Sequence, residues 1–156
     1  MVVVAIFLIV MGVVLANLPT LREQKLLELV AQEVVTTVRQ AQIYGVSRKK
    51  ADATNYSSYG IYFNQSTNNQ FIVFADTFVP LNNVYDLGEA IETYTFPASI
   101  QILSVNPNPS SIVYTSPNID PTISPGAGEV IVVLKSLRTN MQKTIHISGS
   151  GMVYAQ

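Results

Sequence analysis

The first 21 residues contain no Asp, Glu, Lys or Arg, and this run limits what the chain can fold into. It reads MVVVAIFLIVMGVVLANLPTL and ends at Arg22, the first charged side chain. A solvated segment of this composition would leave a large apolar surface with nothing to cover it. The run must therefore be buried in an environment that an ordinary soluble domain does not supply.

Three interpretations explain such a run: a membrane span, a signal peptide and the core of an assembly of helices. Its length helps to choose between them. As an α-helix, residues 1–18 would be about 27 Å long and a continuation to Arg22 roughly 31 Å, close to the ~30 Å hydrocarbon core of a bilayer. A cleavable signal peptide is a poor match, because no Lys or Arg precedes the run and ANLPT is not a small-x-small cleavage site. The core of an assembly of identical helices remains, and hydropathy does not distinguish it from a membrane span.

Charge is distributed unevenly along the chain, although the formal net charge is only −1. Six of the nine basic residues lie between Arg22 and Lys50, whereas residues 51–134 contain seven acidic residues and no Lys or Arg. This pattern suits an anchored protein whose head projects away from anionic lipid, and it suits a solvated polar face equally well. The chain has no cysteine, which excludes disulfides, thiol nucleophiles and cysteine metal sites.

A helical pattern continues after Pro19, now with apolar residues on one side. Steps of three and four residues place the following on one stripe: Leu27, Val30, Val34, Val38, Ala41 and Gly45. We therefore predict a nearly continuous helical stem from Met1 to about Ser47, in which residues 1–21 are apolar and residues 22–50 are amphipathic. Pro19 predicts a kink or a locally unwound stretch between Gly12 and Pro19, and the cations of SRKK are predicted to end the helix.

Beyond the stem, residues 51–156 have the pattern of an antiparallel β head. β-branched and aromatic runs alternate with turns: SYGIYFN, QFIVFAD, IETYTF, SIQILSV, SIVYT, EVIVVLKS, QKTIHIS and GMVYAQ. The first two runs, joined by QSTNN, predict a hairpin. The proline-rich segments NPNPSS and SPNIDPTISPGAGE are predicted to be surface connections. The fold class is therefore α+β, with a long N-terminal helix packed on the head.

The chain resembles the type IV pilin-like proteins, and among them the minor pseudopilins of the GspH/FimT kind. MVVVAIFLIVMGVVLANLP is similar to that family's apolar stem, and ELVAQEVVTTVRQAQIYGVSRKK resembles its stem helix with an Arg-x-Ala-x-x-x-Ala/Gly pattern at Arg39, Ala41 and Gly45. YGIYF with FIVFAD resembles its first hairpin. The family's leader, Gly-Phe junction and TLIE-like residues are missing, and Met1 aligns just inside that signature. An incomplete N-terminus or a different start would explain this.

The resemblance implies that the apolar run is a membrane anchor before assembly and the core of a filament after it. The positions that it assigns to this role are Val3, Ile6, Ile9, Gly12, Leu15 and Pro19. The implied partners are copies of the same chain or other pilin subunits, an inner-membrane platform and an assembly ATPase. The implied locations are the inner or cytoplasmic membrane before assembly and an extracellular or periplasmic filament afterwards.

No motif in the chain predicts catalysis. GxSxG, HExxH, a P-loop and GxGxxG are all missing from the sequence. The single histidine, His146, lies in the alternating run TIHIS, where we predict a solvent-facing strand residue. We therefore predict a protein that is not an enzyme and has no cofactor, apart from the calcium ion considered next.

An acidic segment after the second predicted strand is a candidate calcium loop. Asn82, Asp86 and Glu89 occupy positions 5, 9 and 12 of a calcium loop counted from Phe78, and Asp76 would supply a fourth oxygen ligand if the loop held two extra residues. The residues at positions 1 and 3 offer no side-chain oxygen. An acidic surface loop before a strand is the interpretation that we prefer, because degenerate motifs often match by chance.

A minor hypothesis concerns single-stranded DNA. Aromatic and basic side chains occur together near the predicted end of the stem: Tyr44, Arg48, Lys49, Lys50, Tyr56, Tyr59 and Tyr62. Bases stack on such tyrosines while the cations contact phosphates. Strand tyrosines are more often packing residues, so nucleic acid is not the expected partner.

Two classes of function remain from the sequence. The first is a structural subunit of a type IV pilus or of a type II secretion pseudopilus. The second is a single-pass anchored β domain that captures a ligand or DNA and does not polymerise.

Overall fold

The computed structural model describes residues 2–47, 58–77 and 81–156. The first element is a single α-helix of 45 residues, α1 (Val2–Val46), which contains Pro19 in its interior. At 1.5 Å per residue this helix is about 67 Å long. It is continuous through Gly12 and Pro19, so the unwound stretch that Pro19 predicts is not formed. Its last turn contains no basic residue, because the helix ends before Arg48.

Nine strands follow the helix in the described residues. They are β1 (Ser58–Phe63), β2 (Gln70–Asp76), β3 (Ala90–Thr95), β4 (Ile100–Asn106), β5 (Ser110–Tyr114), β6 (Thr122–Ser124), β7 (Glu129–Ser136), β8 (Gln142–Ser148) and β9 (Val153–Ala155). The chain is thus α+β, as predicted. Eight of the nine strands coincide with a predicted run, and β6 does not.

The strands form two antiparallel sheets. One has five strands in the order β3-β2-β1-β5-β6, and the other has four in the order β4-β7-β8-β9. The predicted first hairpin is confirmed by the pairing of β1 with β2, in which Tyr62 is opposite Ile72. A short 3-10 helix (Gln65–Thr67) makes its turn, and the Asn64 side chain caps that turn by accepting a hydrogen bond from the Ser66 backbone N–H.

The second half of α1 packs against strands of both sheets. The predicted apolar stripe is the packed face, since its aliphatic members and Ala31 are at most 3% exposed: Leu27, Val30, Ala31, Val34, Val38 and Ala41. Every second residue of β7 points into the same core, where Val130, Val132 and Leu134 are fully buried. The helix therefore completes the core that the two sheets begin.

Near the end of α1, Gly45 lies tightly against β5 of the five-stranded sheet. A Cβ atom added at Gly45 would lie 2.8 Å from the carbonyl carbon of Tyr114, which is closer than two carbon atoms approach. Glycine is thus the residue that allows this contact between α1 and β5. Burial raises the pKa of the Tyr114 hydroxyl, which is enclosed in the same region.

Candidate functional site

The N-terminal part of α1 leaves apolar side chains exposed. Beyond the head, the exposed fractions of the large side chains are high: Val3 77%, Val4 60%, Ile6 56%, Phe7 69%, Met11 53% and Leu21 55%. These described side chains begin at Val3 and end at Leu21, which are about 27 Å apart at the helical rise. Several large apolar side chains exposed on one helix are typical of a site that another molecule covers. All six predicted core positions lie within this helix: Val3, Ile6, Ile9, Gly12, Leu15 and Pro19.

Within the described part of the chain, no helix is both long and apolar enough to cross a membrane.

Where the stem enters the head, the structure forms an open notch of about 370 Å³. We call it the junction notch, and its lining includes Leu18, Pro19, Arg22, Glu23 and Arg138. Glu23 is 9% exposed; it accepts a hydrogen bond from the Ser136 hydroxyl, 3.2 Å away, and lies 3.5 Å from Nε of Arg138. The side chain of Arg138 is 74% exposed, and Arg22 is exposed as well. The notch therefore combines an apolar wall with two arginines and one carboxylate.

The candidate calcium residues lie between the last residue of β2, Asp76, and the residue before β3, Glu89, but their oxygens accept hydrogen bonds from the protein itself. Glu89 is 4% exposed. Its two carboxylate oxygens accept hydrogen bonds from the backbone N–H groups of Thr77, at 3.0 Å, and of Asp86, at 2.9 Å. Asp76 is 1% exposed and accepts from the N–H of Asn83 at 2.8 Å. The two carboxylates thus hold the backbone of this segment in place.

The amide of Asn82 takes part in the same network. Its Nδ2 donates to Asp86 at 2.7 Å, and its Oδ1 accepts from the N–H of Val84 at 2.9 Å. Burial and the nearby carboxylates of Glu89 and Asp86 raise the pKa of Asp76. Across the ranges that the structure describes, no group of three or more His, Cys, Asp or Glu is arranged to hold a metal ion. Calcium binding by Asp76, Asn82, Asp86 and Glu89 therefore stays a prediction from the sequence.

The basic residues of the DNA hypothesis, Arg48, Lys49 and Lys50, lie outside the described residues, as does Tyr56. The tyrosines that are described take part in packing. Tyr59 is 3% exposed and contacts the ring of Tyr44 at 5.6 Å, and Tyr62 lies against Tyr85 at 4.9 Å. Tyr44 packs on Tyr59 and Tyr62 packs on Tyr85, and DNA binding stays a prediction from the sequence.

His146 is less exposed than predicted. Its side chain is 14% exposed, its Nδ1 lies 2.7 Å from a carboxylate oxygen of Glu129, and its ring stacks on Tyr154 at 4.9 Å. Sequence reasoning missed this pairing because Glu129 and His146 are on different strands. Their proximity follows from the β7–β8 register, which places Ile131 opposite His146.

The sequence and the fold were compared with known proteins. No protein-family model, curated protein or solved structure matches the chain. The likeness to pilins consequently depends on the residues quoted above.

Proposed function

We propose that this chain is a structural subunit of a helical filament of the type IV pilus or type II secretion pseudopilus kind. The observation that supports it most directly is the division of α1 into two parts. The part after Glu23 buries its apolar stripe in the head, whereas the part before it leaves large apolar side chains exposed. A helix that is apolar around its circumference needs a surrounding of other apolar groups.

Copies of the same helix supply that surrounding in a filament. Side-by-side stems would cover Val3, Ile6 and Phe7 with the same residues of neighbouring chains, while the heads face the solvent. Before assembly, the proposal places the stem in a lipid bilayer, as the resemblance to pilins implies. Both surroundings satisfy an apolar helix without any polar partner.

The test is assembly of an Ile6→Lys variant in cells that make the native protein. A lysine at this position would put an unpaired charge in an apolar helix packing, at a cost of several kcal/mol. We expect the head to fold as in the wild type and filaments to be lost. Filaments sheared from cells are measured by negative-stain electron microscopy and by immunoblotting of the sheared fraction.

The matched control is Gln24→Lys, which adds the same charge at an exposed helix position within the head. It should leave assembly unchanged. Filaments of normal length in the Ile6→Lys variant would contradict the proposal. A wild-type chain that stays monomeric in the membrane would instead favour the anchored binding domain.

A further inference from the structure

The segment before β3 contains an exposed leucine on a tightly held turn. We call residues 86–89, of sequence Asp-Leu-Gly-Glu, the DLGE turn. Leu87 is 95% exposed, the highest fraction among the large apolar side chains that the structure describes. The turn is closed by a hydrogen bond from the N–H of Glu89 to the carbonyl of Asp86, and Gly88 supplies the left-handed backbone at φ 105°.

The buried carboxylate of Glu89 holds this turn in place from inside. This carboxylate accepts one hydrogen bond from the N–H of Asp86 within the turn and another from the N–H of Thr77, just after β2. The backbone that carries Leu87 is therefore held in one conformation, so binding costs little in ordering of the turn. A pre-organised, solvent-exposed leucine beside an acidic residue is suited to a partner with an apolar wall and a positive charge.

The junction notch has these two properties and lies at the opposite end of the head. Its wall contains Leu18 and Pro19, and its arginines are Arg22 and Arg138. The DLGE turn lies near the other end of α1, because Ser58 pairs with Asp76, its neighbour Tyr59 pairs with Tyr114, and Tyr114 contacts Gly45. Glu23 and Gly45 are separated by about 33 Å along the helix axis.

We propose that the DLGE turn of one copy docks in the junction notch of the next copy along the filament. Leu87 packs on Leu18 and Pro19, and the carboxylate of Asp86 faces Arg22 and Arg138. Asp86 already accepts one hydrogen bond from Asn82, and a carboxylate has further acceptor capacity for an arginine. This inference depends on the proposed function, since parallel stems displaced by about one head length bring the two surfaces together.

Charge favours a second copy of this chain as the occupant. The DLGE turn carries the half-buried carboxylate of Asp86 beside the exposed Leu87. The junction notch has two arginines against the single carboxylate of Glu23. The turn and the notch of one molecule therefore carry opposite charges, which suits a head-to-tail contact that repeats along a polymer.

The chain has no cysteine, which allows a clean cross-linking test. Thr20→Cys at the notch and Leu87→Cys on the turn are introduced together in the full chain, in cells that assemble it. The two thiols are too far apart for a disulfide within one chain, so any disulfide joins two copies. We expect a ladder of disulfide-linked multimers, at least about tenfold stronger than in the control, because docking raises the effective concentration of the thiols.

The matched control is Thr20→Cys with Met152→Cys. Met152 is 63% exposed and follows Gly151, which lies against Gln42 near the end of α1, but it adjoins the four-stranded sheet rather than the sheet that carries the DLGE turn. A second variant adds Asp86→Lys to the Thr20→Cys and Leu87→Cys pair, and the ladder should fall to the control level. Adding Arg22→Asp to that chain should restore it.

Ladders of equal strength in the test and control chains would overturn the inference, as would a ladder that Asp86→Lys leaves unchanged. Electron microscopy of the same cells shows whether filaments form, and this distinguishes a wrong docking contact from a wrong proposed function. Filaments without the Thr20–Leu87 disulfide contradict the docking alone, whereas an absence of filaments in wild-type cells contradicts both.

Discussion

At the scale of single residues, Asp76 and Glu89 show what buried carboxylates do in this head. Each is at most 4% exposed and accepts hydrogen bonds from backbone N–H groups of the segment between β2 and β3. Backbone N–H groups outside helices and strands need other acceptors, and these two side chains provide them for Thr77, Asn83 and Asp86. Residues that the sequence marks as candidate metal ligands are thus used as backbone acceptors.

Asp76 should make the stability of the head depend on pH. Burial raises its pKa above the ordinary value of 3.8, so the folded chain holds the proton more strongly than the unfolded chain does. The contribution of this group to stability is then fully present below pH 3.8, and it is lost as pH rises through the folded-state pKa. Asp76→Asn removes the buried charge and keeps an oxygen that can accept from Asn83.

We therefore expect Asp76→Asn to raise the melting temperature at pH 7, and this gain to shrink as the pH falls toward 3.8. The measurement is thermal unfolding followed by circular dichroism across that range. Asp120→Asn, at an exposed acidic residue, is the control and should change little. A gain that grows as the pH falls would show that the ionised form of Asp76 stabilises the head.

At the scale of elements, alternation and helical spacing predicted the stem and eight of the nine described strands. The missing strand, β6, has three residues between Pro121 and Pro125, and it forms because Ile123 pairs with Ile112 at the edge of the five-stranded sheet. A strand this short has no periodicity to detect, and its existence depends on a partner distant in sequence. The Glu129–His146 pair and the junction notch also depend on residues that are distant in sequence, so local patterns do not predict them.

Pro19 illustrates a different limit. Its missing N–H and its ring predict a kink or a locally unwound stretch, yet α1 continues through it as a helix. The packed apolar face begins only at Leu27, so contact with the head is not the cause of this continuity. The spacing of apolar residues thus predicted the extent of the helix better than its one proline did.

The division of α1 leads to a prediction for a chain that lacks residues 1–21. The packed face begins at Leu27, so all of its buried residues remain, and the exposed apolar side chains up to Leu21 are removed. We expect a soluble monomer with the same β content and a cooperative melting transition. Size-exclusion chromatography and circular dichroism measure both properties. Aggregation of this shortened chain would show that the head needs the whole helix for its own stability.

In the whole molecule, two kinds of contact are proposed to hold a filament together, and salt should weaken only one of them. Apolar packing between stems is not weakened by ions, because it follows from the removal of apolar surface from water. Docking of the DLGE turn in the junction notch includes attraction between Asp86 and the arginines Arg22 and Arg138. Ions screen this attraction at the rim of a solvent-accessible contact.

Salt should therefore weaken the docking contact while the stems stay packed. Raising sodium chloride from about 0.1 M to about 1 M shortens the Debye length from about 10 Å to about 3 Å, so the disulfide yield of the Thr20→Cys and Leu87→Cys chain should fall in sheared filaments. Filament mass recovered by centrifugation should change less than the disulfide yield. Arg22→Gln in the same chain removes one charge of the pair, and it should lower the yield at low salt and flatten the dependence on salt. A yield that rises with salt, or a dependence that Arg22→Gln leaves unchanged, would show that the turn and the notch meet without this charge attraction.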